Sequence, residues 1–250
     1  MGGLVALLYG VAAYFVFLGS FLYAIAFVGN IAELPGGLVL PKTIDSGVAG
    51  APIPSAIIDA VLLSIFAVQH SLMARAAFKR MWTRIVPSSV ERSTYVLLSS
   101  LALLLIYWQW RPLPDAVWTV TNPLAVTALA VLFWAGWGIV LLSTFLLDHF
   151  ELFGLRQVWA RMRGETLPAA QFRTPLFYKF VRHPIYLGFT IAFWSAAVMS
   201  QGHLLFALAT TGYMLVGIFF EERDLVANFG ETYVVYRKRV WMIVPLPPSR

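Results

Sequence analysis

Two short polar stretches interrupt an otherwise apolar chain, and each carries residues able to do chemistry. The first reads Arg182-His183-Pro184-Ile185-Tyr186-Leu187-Gly188 and runs at once into an apolar segment. The second, Glu221-Glu222, closes the next apolar run. Proline suits the first position of a helix, so Pro184 directly after His183 predicts a helix start. Free N–H groups there, with Arg182 and His183, make a site for an anion such as a carboxylate. Two carboxylates at the end of the following helix sit where the backbone dipole is already negative, so they call for a cation. Arg223 or Arg237 can answer them from within the chain. A ligand carrying both a carboxylate and an ammonium satisfies the two poles together.

The elements that must position these groups are membrane helices. Of 250 residues, 60% are hydrophobic and 12% charged, and the mean hydropathy of +0.76 exceeds what a soluble domain tolerates. Apolar runs of about 20 residues match a hydrocarbon core of roughly 30 Å, and in lipid they select helices over barrel strands. The expected fold class is all-α, a polytopic membrane helix bundle of five to six transmembrane helices with cytoplasmic interfacial helices. The spans fall near residues 4–28, 56–74, 94–110, 124–147, 184–200 and 203–220. Only Gln201-Gly202 separates the last two, which are short, so a tilted hairpin and two full crossings both fit. The first run lacks a basic flank and a small-residue cleavage site and reads as a retained helix. The chain reads as a single membrane domain, 1–250, with a four-helix part over 1–147 and a ligand-binding part over 148–250. Cysteine is absent, which removes disulfides and thiolate chemistry of the chain's own.

The formal charge of +6 is sorted by side. Of 18 Lys and Arg, Lys42 and Arg111 alone fall in the loops after the first and third runs; the other 16 lie in 75–92, 148–182 and 221–250. Those segments share one side of a six-span chain, which the positive-inside rule makes cytoplasmic, with both termini inside. Basic residues beside a membrane point to anionic lipid headgroups rather than nucleic acid. The loop 29–54, with Pro35-Gly36-Gly37, is turn-rich and external. Ser93 or Thr94 is the expected cap of the third helix, and 148–182 reads as an interfacial helix and loop. After Glu221 the spacing suggests an amphipathic helix, a break at Gly230, and a short helix carrying Tyr233, Tyr236 and Arg237.

The methionine end of S-adenosyl-L-methionine carries a carboxylate, an ammonium and a sulfonium, so it fits both poles. The Arg182–Gly188 string, the glutamate pair, and Phe229-Gly230-x-x-Tyr233-x-x-Tyr236 ending at Pro245 resemble the isoprenylcysteine carboxyl methyltransferase and phospholipid methyltransferase group, over about the last 80 residues. The resemblance implies a membrane methyltransferase that binds S-adenosyl-L-methionine through Arg182, His183, Pro184, Tyr186, Leu187, Gly188, Glu221, Glu222, Tyr233, Tyr236 and Arg237. Phe27-Val28-Gly29-Asn30, Lys42-Thr43-Ile44-Asp45-Ser46-Gly47, Gln69-His70-Ser71 and Glu91-Arg92-Ser93-Thr94-Tyr95 extend it to the bacterial methanethiol S-methyltransferases, which share a domain with NnrU-type membrane proteins. That implies methyl transfer to a small volatile thiol, methanethiol, giving dimethyl sulfide, with hydrogen sulfide as a smaller acceptor. It also implies a multi-pass protein of the bacterial inner membrane with its cofactor site facing the cytoplasm.

An alkyl thiol is mostly protonated near neutrality, while the attacking form is the thiolate. His70, near the cytoplasmic boundary, is the first candidate base; Arg92 and Tyr95 can steady the thiolate or the imidazole. Asp45 is a further candidate, placed by the topology on the far side. His149 and His203 read as structural, and the four histidines are too scattered for a metal site. No GxGxxG loop is present, which excludes a Rossmann-type domain. Two rival readings remain: a prenylcysteine or phospholipid-type acceptor with the same cofactor, and a non-enzymatic NnrU-like transporter or accessory protein.

Overall fold

The computed structural model describes residues 2–168 and 172–244, so Pro245 lies outside the described residues. The chain is helical: α1 Gly3–Val28, α2 Pro52–Ala74, α3 Ala76–Trp82, α4 Ser88–Gln109, α5 Pro123–Leu147, α6 His149–Leu152, α7 Leu155–Arg163, α8 Pro184–Trp194, α9 Gln201–Phe229 and α10 Glu231–Arg239. Among the described residues α1, α2, α4, α5 and α9 are long and apolar enough to cross a membrane, which makes this a multi-pass membrane protein. The loop after α1 holds a two-stranded hairpin, Glu33–Leu34 with Leu38–Val39, turned by Gly36 and Gly37 at positive φ.

Two compact units divide these elements. The first comprises residues 1–118, 150–168 and 198–206. In it α1 runs parallel to α4, as the Tyr9–Thr94 and Tyr107–Ser20 hydrogen bonds and the Phe27–Trp110 ring contact show. α2 runs antiparallel to α4, with His70 beside Tyr95 and Asp59 accepting from the Arg111 amide. α7 lies on α1 through Val158, which fills the space a Cβ on Gly10 would take. α4 begins at Ser88 after Pro87, not at the expected Ser93 or Thr94. Ser93 is instead buried against Gly154, and Thr94 returns its hydroxyl to the Val90 carbonyl.

The second unit comprises residues 119–149, 169–197 and 207–250. α5 starts well, with Pro123 in its first turn and Asn122 accepting from the Ala125 amide. α8 packs antiparallel on α5: Gly188 meets Gly136 and Val140, and the Val120 amide reaches the Ala197 carbonyl. α9 returns antiparallel to α8, with Trp194 donating to Thr211 and Tyr186 to Glu221. At 11 residues α8 is too short to cross alone, but with the non-helical residues after it the chain retraces α5. Five long helices and one composite return therefore account for both span counts. The sequence boundary at 147 separates helices that pack together, because α5 and α8 belong to one unit.

Candidate active site

The polar constellation assembles within the second unit. Val181 bridges Trp241 in parallel, with the Arg182 amide on the Trp241 carbonyl at 2.8 Å and the His183 amide on the Met242 carbonyl at 3.1 Å. The segment after α10 is thereby tied to the entry of α8. Arg182 Nε donates to Glu222 Oε1 at 2.7 Å, and His183 Nε2 lies 3.2 Å from the same oxygen. Arg182 Nη1 reaches the carbonyls of Arg237 at 3.1 Å and Val240 at 2.5 Å. Tyr186 donates to Glu221 Oε2 at 3.0 Å, and Tyr236 to the Tyr178 carbonyl at 2.5 Å. Phe172 packs edge-on against Tyr233 and Tyr236.

Several expectations change with this geometry. Arg182 and Glu222 answer each other, so they are not opposite poles awaiting a ligand. The amides of Arg182 and His183 are used by the chain and are not free for an anion. α9 continues to Phe229, which puts the glutamate pair inside a helix and not at its negative end. What remains open is Glu221, its side chain 45% exposed, and Arg237, 46% exposed and 3.7 Å from Glu222 Oε2. Tyr233 is 1% exposed, and its hydroxyl has no hydrogen-bond partner. Burial pushes its pKa up, with the Glu222 carboxylate adding to the effect, and burial raises Tyr236 to about 12. Both phenols are therefore neutral donors. Gly188 packs against α5: a Cβ there would stand 2.6 Å from the Gly136 carbonyl and 2.9 Å from the Val140 amide. Pro184 is buried at the helix start, and the Leu187 amide makes an ordinary helix bond to His183.

The candidate thiol-side residues lie in the first unit. Tyr95 Oη sits 2.8 Å from His70 Nε2, and Ser99 Oγ 3.1 Å from Nδ1. Arg92 lies 5.1 Å from the Tyr95 ring centroid and donates through Nε to the Leu152 carbonyl at 2.7 Å. Both nitrogens of His70 thus have hydroxyl partners, so its lone pair meets a phenol first. Asp45 does not join this cluster. It accepts from Ser200 at 2.5 Å and Asn30 at 3.2 Å, in the loop that also buries Ile44 against Trp110. Trp110 follows Tyr95 by fifteen residues of α4, roughly 22 Å at about 1.5 Å per residue. Burial raises the Asp45 carboxyl, opposed by the Ser200 hydroxyl. Asp45→Asn, which keeps an acceptor for Ser200, is expected to leave turnover within about twofold, since Asp45 lies by the far end of α4 from Tyr95; a large loss of turnover would return Asp45 to the chemistry.

No protein-family model matches the chain, and no solved structure is significantly similar. Curated proteins are. A methanethiol S-methyltransferase of Mycobacterium tuberculosis is 54% identical over 242 residues, covering 96% of each chain. Methanethiol S-methyltransferase 1 of Bradyrhizobium diazoefficiens is 55% identical over 96% of this chain and 82% of its own. The chain belongs to the methanethiol S-methyltransferase family. Nurim of Mus musculus is a more distant relative, 33% identical over 67% of this chain and 66% of its own. Membership of the methanethiol S-methyltransferase family makes the chain an enzyme and implies a methyl donor. It does not by itself assign roles to residues.

Among the groups that build the constellation, Tyr178, Val240, Trp241 and Met242 escape a reading of the sequence. They contribute backbone carbonyls, which every residue carries, so side-chain type gives no signal. Ser99 is similar: its place beside His70 depends on how α2 and α4 meet.

Proposed function

We propose that this enzyme transfers the methyl group of S-adenosyl-L-methionine to methanethiol, giving dimethyl sulfide, at a cofactor site facing the cytoplasm of a bacterial inner membrane. The observation that carries the reading is about 54% identity, sustained over nearly the whole chain, to relatives named for that reaction. The donor set fits the cofactor. Glu221 offers an exposed carboxylate to an ammonium or sulfonium, Arg237 an exposed guanidinium to a carboxylate, and Tyr233 a buried hydroxyl with no partner. When bound, the cofactor supplies an electrophilic methyl carbon on a sulfonium, whose charge a thiolate cancels, so apolar surroundings do not oppose the transfer.

The residues of the chain do the rest. Arg182 and His183, fixed by Glu222, hold the end of the chain in place, so that Tyr233 and Arg237 keep their positions beside Glu221. The cytoplasmic assignment is supported by the 16 of 18 basic residues in three segments expected on that side. In the first unit, Tyr95 is held by His70 and covered by Arg92. His70→Ala is expected to lower turnover about tenfold through loss of Tyr95 placement and to spare cofactor binding; full turnover would confine His70 to structure.

Calorimetry with S-adenosyl-L-methionine on purified protein tests the donor, and absence of binding would sink the proposal. Headspace detection of dimethyl sulfide from methanethiol tests the acceptor. Cofactor binding without that product would favour a lipid-type acceptor.

A further inference from the structure

Two adjoining hollows open in the first unit where α4 begins. One, of about 280 Å³, is lined by Pro87, Ser88, Ser89 and Arg161. The other, of about 250 Å³, shares both serines and the arginine and adds Gln157 and Glu165. Each is smaller than the roughly 300–1,000 Å³ of a site for a drug-sized ligand, so they take small polar groups and not a nucleoside. Their level in the bilayer follows from α4 itself. Its 22 residues measure roughly 33 Å at about 1.5 Å each, just over a hydrocarbon core of roughly 30 Å. Ser88, Ser89, Glu91 and Arg92 keep its first turns out of the hydrocarbon, so the hollows open among the lipid headgroups. α7 rests at the same level: Val158 is buried with Ala6 and Val90, while Trp159 is 48% exposed, as in a helix lying in the interface.

The lining divides by chemistry. On one side stand the hydroxyls of Ser88 and Ser89 and the guanidinium of Arg161, which makes no ion pair among the described residues; together they suit a phosphodiester. On the other side are acceptors. Gln157 gives its Nε2 to the Glu151 carbonyl at 3.1 Å, and since a carbonyl only accepts, the amide nitrogen is fixed there and Oε1 faces the other way. That oxygen is buried and has no hydrogen-bond partner. A buried acceptor without a donor is costly, so one from outside the chain is called for. Glu165 is brought alongside by Gly164, whose φ of 72° turns the chain back until the Glu165 amide reaches the Ala160 carbonyl. Its carboxylate meets Arg163 at 2.8 Å, but both side chains are more than half exposed, and such a pair holds weakly.

We propose that these hollows bind a membrane phospholipid whose headgroup carries both a phosphodiester and an N–H-bearing ammonium, as phosphatidylethanolamine does. The phosphodiester lies against Ser88, Ser89 and Arg161, and the ammonium donates to Gln157 Oε1 and faces Glu165. A net-anionic headgroup meets Arg161 but leaves Glu165 unanswered, and a quaternary ammonium has no N–H to give Gln157. The bound lipid ties α7 to the start of α4.

The test uses full-length protein in detergent, stripped of lipid and read without cofactor or thiol. Native mass spectrometry and thermal melting follow titration with phosphatidylethanolamine, phosphatidylglycerol and phosphatidylcholine. Phosphatidylethanolamine is expected to bind at least about tenfold more tightly than either of the others, the usual worth of a charged hydrogen bond, and to raise the melting temperature. Arg161→Gln, at an exposed position, should lower that affinity about tenfold while the lipid-free melting temperature stays unchanged. Gln157→Met should bring phosphatidylethanolamine down to the level of phosphatidylcholine, and Arg161→Gln carries the test alone if that variant does not fold. Equal affinity for the three lipids, or native affinity in Arg161→Gln, would overturn the assignment. Displacement of the lipid by an equal concentration of free phosphoethanolamine or inorganic phosphate would make this a site for a soluble phosphate and overturn the lipid as occupant.

Discussion

Glu222→Ala is expected to reduce affinity for S-adenosyl-L-methionine by more than 100-fold and to lower the melting temperature. Glu222 is the shared partner of Arg182, His183 and Arg237, and its side chain is only 13% exposed, beside an Arg182 at 11%. Removing one member of a buried pair leaves the other uncompensated and costs about 3–5 kcal/mol. The residual exposure favours the lower end, about 3 kcal/mol, or two decades at about 1.4 kcal/mol each. The loss reaches the cofactor indirectly: with Arg182 released, the carbonyls of Arg237 and Val240 lose their donor and α10 loses its anchor. Calorimetry and thermal melting check this together. An unchanged dissociation constant would show that the clasp is not part of the site.

Gly188→Val is expected to prevent a stable fold. Its Cβ alone would stand 2.6 Å from the Gly136 carbonyl oxygen and 2.9 Å from the Val140 amide, both backbone atoms that cannot rotate away. Overpacking a core typically costs about 1–3 kcal/mol where side chains can yield, and here the obstacle is a helix backbone. The two helices must separate, and α8 carries His183 and Tyr186. Size-exclusion chromatography in detergent should show aggregation or loss of the monodisperse peak. A well-folded variant that only loses cofactor affinity would restore Gly188 to the binding residues.

The helices and the chemistry-bearing stretches were legible because both are local. Apolar runs announce spans, and Arg182-His183 and Glu221-Glu222 stand out against them. Pairing was not legible, because a charge takes its partner from three-dimensional distance. Glu222 could be matched with Arg223 or Arg237 on paper, yet the structure gives it Arg182 and His183 first. The start of α4 was misplaced for a local reason: Ser93 and Thr94 have capping side chains, but Pro87, before Ser93 in the chain, had already set the entry. The close packing of Gly188 on Gly136 and Val140 was not legible either, because its neighbour is a second helix.

The β-bridge between Val181 and Trp241 also sets an order of events during synthesis. α8 leaves the ribosome well before its partner strand exists, and the amides of Arg182 and His183 find their carbonyls only when residues 241 and 242 emerge. The nascent chain can insert its helices one by one, but the clasp around Arg182 and His183 closes only after residues 241 and 242 are made.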